Sequence, residues 1–186
     1  MKARNMGEKN YALLGILGPL TTYALIAASI ILSPWFCWEK NALSDLGHAI
    51  KSQAAPIFNF GLFLGGFLLI IYSMKTLVRN AKYSGLSLLV ASLLLQLIAL
   101  FNETYPRLHY AVSVLFFIAI IVGSLAYAFE AKSPLGVVGF IVGFGSWIIY
   151  FMAGTSIVGV AVPETISSTA ALLWVAQSTI KAYSQK

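Results

Sequence analysis

The residues of this chain that could do chemistry are concentrated in a few short polar segments between long apolar runs. The longest polar segment covers residues 34–53, and four of its side chains recur at helical spacing: Asn41, Ser44, Asp45 and His48. At about 100° per residue, these four fall on one stripe of a helix. Three apolar residues fall on the opposite stripe: Leu43, Leu46 and Ile50. The pattern predicts a short amphipathic helix with one buried face and one polar face.

A second group of polar residues lies at the ends of other apolar runs: Asn102, Glu103, His109 and Glu164. A carboxylate beside an imidazole can transfer protons, which makes Asp45 with His48 a candidate acid–base pair. Glu103 with His109 is a second candidate pair of the same kind. A zinc ion with an open water position is the metal alternative, and its ligands would be His48, His109 and either Asp45 or Glu103.

Asn59 joins these candidates through a short repeat. Residues 56–60 read Pro-Ile-Phe-Asn-Phe and residues 106–110 read Pro-Arg-Leu-His-Tyr, so a polar residue follows three positions after each proline. Proline suits the first turn of a helix, because its missing N–H is not needed there. Asn59 and His109 are therefore expected at similar depth. The candidate ligand-binding residues are Asn41, Ser44, Asn59, Asn102 and Glu164.

All of these residues also have ordinary structural interpretations. The polar residues of segment 34–53, like Asn102 and Glu103, can simply cap helices or face water. His109 can be a hydrogen-bonded packing residue. Glu164 suits the first turn of a helix, where the helix dipole favours an acid. The sequence leaves both interpretations open.

The composition determines which solvent surrounds the elements that carry these residues. The chain is 59% hydrophobic and 10% charged, with a mean hydropathy of +0.85, whereas a soluble domain carries about 25% charged residues. Its apolar runs are about 20 residues long and continuous, which is typical of transmembrane helices. The one cysteine, Cys37, excludes an intrachain disulfide and a thiolate zinc site. The net charge of +6 does not require a nucleic-acid partner.

The apolar runs predict an all-α, polytopic membrane helix bundle of about six spans in three hairpins, forming a single domain. The expected spans cover residues 12–33, 54–77, 84–101, 108–129, 135–151 and 163–180. The sixth is the least apolar, because it contains several hydroxyl residues and Gln177. Small-residue pairs in the second and fifth spans favour close helix contacts, either within the bundle or with a second copy or membrane partner. These pairs are Gly61 with Gly65 and Gly139 with Gly143.

The basic residues predict the orientation of the chain in the cell membrane. Six spans place both termini on one side, and nine of the twelve Lys and Arg residues lie in segments on that side. Because cytoplasmic segments are enriched in Lys and Arg, both termini are expected in the cytoplasm. The polar candidates then lie at the outer face.

Several of these residues form a recognisable string. Residues 41–48 read Asn-Ala-Leu-Ser-Asp-Leu-Gly-His, residues 57–61 read Ile-Phe-Asn-Phe-Gly, and Phe-Asn-Glu follows at 101–103 with His109 beyond it. This pattern resembles a prokaryotic six-span membrane family catalogued as domain of unknown function 998. The resemblance covers most of the chain and implies no particular activity. The signature positions that it implies are Ser44, Asp45, Gly47, Asn59, Glu103 and His109.

Three classes of function fit these features. Binding of a lipid or a membrane partner by the outer polar residues is favoured. An outer-leaflet enzyme that processes a lipid or isoprenoid head group, by acid–base or zinc chemistry, is the alternative. A small transporter or channel is the third, although Gln96 is one of few polar residues at depth. A haem held by His48 and His109 is a further alternative.

Overall fold

The described residues of the protein fold as a bundle of six long helices. The computed structural model describes residues 6–153 and 158–184, and these contain helices and connecting turns but no strand. The long helices are α1 (Met6–Ile31), α2 (Ala55–Asn80), α3 (Lys82–Leu100), α4 (Pro106–Glu130), α5 (Pro134–Ala153) and α6 (Ala161–Ser184). Helix α2 includes one π-helical turn at Ser73–Leu77. The predicted all-α fold is confirmed.

Five of these helices are long and apolar enough to cross a membrane, among the residues that the structure describes. They are α1 to α5, so the chain is a multi-pass membrane protein. Helix α6 is present where the sixth span was predicted, but its hydropathy is lower. Its polar side chains face neighbouring helices, since Ser167, Ser178 and Thr179 are buried. The mean hydropathy of α6 therefore underestimates the hydropathy of its outward face.

The helix ends lie at two opposite ends of the bundle. At one end, called here the basic end, Glu130 of α4 accepts hydrogen bonds from the backbone N–H groups of Tyr83 and Ser84 at the start of α3. Lys9 of α1 lies over the ring of Tyr183 of α6. At the other end, called here the polar end, residues 34–54, 101–105 and 158–160 lie together.

The predicted glycine pairs pack inside the chain. A Cβ on Gly61 would lie 2.7 Å from Leu25 Cβ, and one on Gly65 would lie 2.9 Å from the carbonyl oxygen of Gly18, so both face α1. A Cβ on Gly139 would lie 3.1 Å from the carbonyl oxygen of Ala170 in α6. These glycines allow close helix approach within the bundle. Association with a second copy or a membrane partner stays a prediction.

The first polar-end segment differs from the predicted amphipathic helix. Only Leu43–Gly47 is helical, and it is a 3₁₀ helix rather than a longer α-helix with a continuous polar stripe. Leu43 and Leu46 are buried as expected, but Ile50 is 84% exposed and lies beyond the helix. The Asp45 carboxylate accepts hydrogen bonds from Asn41 Nδ2 and from the N–H of Ala42, which favours a tight local turn.

Candidate functional site

Three segments from distant parts of the sequence converge at the polar end. The N–H of Ala161 donates to the carbonyl oxygen of Asn41 at 2.9 Å, which holds the start of α6 against the first segment. The N–H of Leu43 donates to Oε2 of Glu164 at 2.7 Å. Ser44 Oγ donates to Oε1 of Glu103 at 2.6 Å and so connects the 3₁₀ helix to the α3–α4 turn.

Glu103 and His109 form a close acid–base pair, as one of the two predicted pairings requires. His109 Nε2 lies 3.2 Å from Glu103 Oε1, and the two side chains are 8% and 24% exposed. His109 Nδ1 lies 2.9 Å from the carbonyl oxygen of Phe101. Since that oxygen only accepts, Nδ1 is the donor there, and Nε2 shares a proton with the carboxyl group.

The hydrogen bond from His109 holds the pKa of the Glu103 carboxyl below its usual value. The hydrogen bond from Ser44 acts in the same direction, while partial burial opposes both. A hydrogen bond or opposite charge beside a carboxylate favours its ionised form. Glu103 is therefore an ionised acceptor at neutral pH.

Glu164 lies in the first turn of α6, as expected for an acid stabilised by the helix dipole, and it also accepts a hydrogen bond from a distant segment of the chain. It is only 9% exposed. Oε2 accepts the N–H of Leu43, and among the described residues no side chain or backbone donor contacts Oε1. The residues Ser44, Glu103, His109, Ser113 and Glu164 are called the polar cluster below.

The polar cluster lies at one end of a groove of about 880 Å³ between α4 and α5. Beyond the cluster, the groove is lined by apolar and aromatic side chains, among them Val114, Ile118, Phe140, Phe144 and Trp147. Its α4 lining runs from Pro106 to Val122, a length of about 24 Å at the rise of an α-helix. The groove is therefore polar at one end and apolar over most of its length.

The packing of α5 on α4 explains why a groove is present. Near the basic end, a Cβ on Gly136 would lie 2.6 Å from the backbone nitrogen of Ala128, so the two helices are in tight contact. A Cβ on Gly143 would reach only ordinary contact, 3.7 Å from Ile121 Cγ1. Toward the polar end, aromatic side chains of both helices lie between the backbones of α4 and α5. The ring centroids of Phe117 and Trp147 are 4.8 Å apart.

A smaller cavity of about 120 Å³ lies in the centre of the bundle. It shares four lining residues with the groove: Ser44, Ser113, Phe117 and Glu164. Most of its remaining lining is apolar, and Gln96 is not part of it. Gln96 instead donates to the carbonyl oxygen of Phe63. The polar cluster thus lies where the two spaces adjoin.

The two side chains of the other predicted acid–base pair make local hydrogen bonds. Asp45 accepts from Asn41 and the N–H of Ala42. His48 Nδ1 accepts from the N–H groups of Ile50 and Lys51, at 3.3 and 3.4 Å. Asp45 and His48 therefore stabilise the local turn, and neither residue lines the groove.

Two of the predicted ligand-binding residues also support the backbone. Asn59 Nδ2 donates to the carbonyl oxygen of Gly47 at 2.9 Å, which ties α2 to the end of the 3₁₀ helix. Asn102 Oδ1 accepts from the N–H and the hydroxyl of Thr104 within the α3–α4 turn. Both residues therefore position the segments that carry Ser44 and Glu103.

No group of three His, Cys, Asp or Glu side chains is placed to hold a metal ion within residues 6–153 and 158–184. Zinc at His48, His109 and Asp45 stays a prediction.

Sequence reasoning missed Ser113 and the aromatic lining. Ser113 Oγ lies 3.4 Å from His109 Nε2. A signal for it was present, because residues four apart on a helix are neighbours and Ser113 follows His109 at that spacing. Phe144 and Trp147 gave no such signal, since aromatic residues in an apolar span are equally expected on a lipid-facing surface.

Gly47 is expected to be required for docking the 3₁₀ helix. A Cβ there would lie 2.7 Å from both Asn59 Oδ1 and Phe58 Cδ1, and Phe58 is buried. Because overpacking a core costs about 1–3 kcal/mol, Gly47→Ala should lower the free energy of unfolding by about that amount. Thermal unfolding in detergent would measure it. Gly145→Ala, whose Cβ meets nothing within 4 Å, is the control; equal melting temperatures for the two variants would contradict this account.

The sequence of this chain is similar to a known protein family. A family model described as "Protein of unknown function (DUF998)" matches residues 16–180, which is most of the chain. The chain belongs to the DUF998 family. No curated protein and no solved structure matches it. The matched range of this DUF998 protein contains the polar cluster and the whole lining of the groove.

Proposed function

We propose that this protein binds a single-chain amphiphile of the membrane, with the chain in the α4–α5 groove and the head group at the polar cluster. The observation that carries the proposal is the change in the groove from polar to apolar along its length. Ligand sites are concave and mostly apolar, with a few polar groups that orient the ligand. A lipid has the same division between head and tail.

We further propose that the polar cluster lies in the outer leaflet of the cell membrane, with both termini in the cytoplasm. The charges on the helix ends support this orientation. Among the described residues, six basic residues lie in or next to the basic end: Lys9, Lys75, Arg79, Lys82, Lys132 and Lys181. Cytoplasmic segments of membrane proteins carry such an excess of Lys and Arg.

Quenching of Trp147 fluorescence tests the binding proposal. The purified protein in lipid nanodiscs is titrated with a long-chain alcohol that is dibrominated at mid-chain, because bromine quenches a nearby indole. Trp147 lines the groove, so the difference between wild type and Trp147→Phe isolates its signal from the other three tryptophans. We expect saturable quenching of the Trp147 component.

Filling the groove should abolish that signal. In Val114→Phe/Ile118→Phe, two groove-lining side chains of α4 become larger, and we expect the quencher to bind with at least a tenfold higher dissociation constant, a loss of about 1.4 kcal/mol or more. The matched control is Leu115→Phe/Leu125→Phe, at exposed α4 positions outside the groove. Non-saturable quenching, or equal quenching in both double variants, would refute the proposal.

A second candidate function is acid–base chemistry on the bound head group. It is favoured by the Glu103–His109 pair. Both side chains line the groove, and a proton is shared between Nε2 of His109 and the Glu103 carboxylate. Mass spectrometry of a single-chain lysolipid incubated with the protein in nanodiscs would show whether water hydrolyses the head-group ester, releasing the free head group and leaving the long-chain product. Release that persists in Glu103→Gln would exclude this pair as its source.

A further inference from the structure

We infer that the amphiphile carries a protonated amine in its head group. This inference rests on the proposed binding of a single-chain amphiphile in the α4–α5 groove. It names the class of head group that the polar cluster would select.

The charged groups that line the groove are of one sign apart from His109. Glu103 and Glu164 line it, and no Lys or Arg is among the described residues that line it. His109 is already paired with Glu103 at 3.2 Å. Arg107 follows the lining residue Pro106, but it is exposed and is not part of the groove. Among the described residues, the Glu164 carboxyl group therefore has no cationic group within ion-pair distance, and the charge of His109 acts on it only from farther away.

Glu164 is the residue of the polar cluster whose carboxyl group could accept a further hydrogen bond. Its side chain is nine-tenths buried, it lines both the groove and the central cavity, and its Oε1 contacts no protein donor in the described part of the chain. In a largely apolar environment, a hydrogen-bond donor stabilises a carboxyl group, and a cation stabilises its ionised form. An ammonium group at the end of the groove supplies both the hydrogen bond and the charge.

An anionic head group would meet the opposite situation. Proteins bind phosphate and carboxylate groups with Arg, Lys or backbone N–H donors. Here a phosphate would face the carboxyl groups of Glu103 and Glu164. Among the described lining residues its one cationic partner would be His109, which is already paired with Glu103. An uncharged alcohol, which can donate one hydrogen bond but adds no charge, is expected to fall between the two.

Three probes with the same mid-chain dibrominated tail separate these cases: a primary amine, an alcohol and a phosphate monoester. Trp147 quenching is measured in nanodiscs of uncharged lipid. Because hydrogen bonds to charged groups are the stronger ones, we expect the amine to bind about tenfold or more tightly than the alcohol, and the phosphate more weakly than both. Equal binding of all three would refute the amine inference and leave groove binding intact. Failure of all three to quench would refute the proposed function itself.

Replacing the unpartnered carboxyl group tests the assignment to Glu164. Glu164→Gln retains an oxygen that can accept the N–H of Leu43 but removes the charge, so the preference for amine over alcohol should fall to within about threefold. Glu39→Gln is the matched control, since Glu39 is an exposed acid of the same polar end that does not line the groove. An unchanged amine preference in Glu164→Gln, or an equal loss in Glu39→Gln, would overturn the inference.

Discussion

Trp174→Ala is expected to lower the free energy of unfolding by about 3–5 kcal/mol, because it removes a large, fully buried side chain. Trp174 lies on α6, its Nε1 donates to Ser124 Oγ of α4 at 2.8 Å, and its ring packs on Tyr127 with centroids 5.2 Å apart. The variant would therefore leave a cavity between α4 and α6 and remove the hydrogen bond that Ser124 Oγ accepts, while Ser124 Oγ would still donate to the carbonyl oxygen of Ile120.

Denaturation by SDS in mixed micelles, followed by circular dichroism, would measure this loss. Trp35→Ala is the control, since Trp35 is 47% exposed and such substitutions usually change stability by less than about 0.5 kcal/mol. Similar losses in both variants would mean that α6 is not packed in the centre of the bundle. In that case the wall of the central cavity that Ala171 and Val175 form would not exist as described.

His109→Ala is expected to cost about 1.5–3 kcal/mol, the range for hydrogen bonds to charged groups. It removes the partner of Glu103 and leaves that half-buried carboxylate with Ser44 alone. A double-mutant cycle with Glu103→Gln isolates the pair, because coupled residues give non-additive losses. Additive losses in the SDS denaturation assay would show that the two side chains do not interact.

The same pair predicts a pH dependence of stability. The pKa of Glu103 is lower in the folded protein than in the unfolded chain, chiefly because His109 donates a hydrogen bond to it. The carboxylate therefore contributes stability above its unfolded pKa, and this contribution is lost as the pH falls through the folded value. His109→Ala should have a flatter acid-side stability profile than wild type. Identical profiles would contradict the assignment.

The sequence predicted the helices well because apolar runs of about 20 residues have one stable form in lipid. It also named Glu103 with His109 as one of two candidate acid–base pairs; these two side chains lie 3.2 Å apart, and their acid–base role stays a prediction. The 3₁₀ helix was not predicted. Hydrophobic periodicity assumes α-helical spacing, whereas the Asp45 carboxylate holds a tighter turn there.

The groove could not be predicted, because it depends on how two helices diverge. Gly136, Gly143 and Gly145 are alike in the sequence, yet a Cβ meets backbone at 2.6 Å on the first, makes ordinary contact on the second and meets nothing within 4 Å on the third. Which of them lies in a tight contact is decided by the packing of α5 on α4 and α6. The meeting of Ser44 and Glu164 with Glu103 likewise depends on long-range contacts.

Photolabelling tests the central claim, that an amphiphile chain lies between α4 and α5, most directly. A long-chain amine with a diazirine near the end of its tail is bound to the protein in nanodiscs and irradiated, and the labelled peptides are identified by mass spectrometry. The account predicts labels on groove-lining residues of α4 and α5, such as Ile118, Val122, Phe140 and Phe144, which excess unlabelled amine suppresses. Labels spread over the lipid-facing surfaces of α1 to α3, and unaffected by competition, would contradict it.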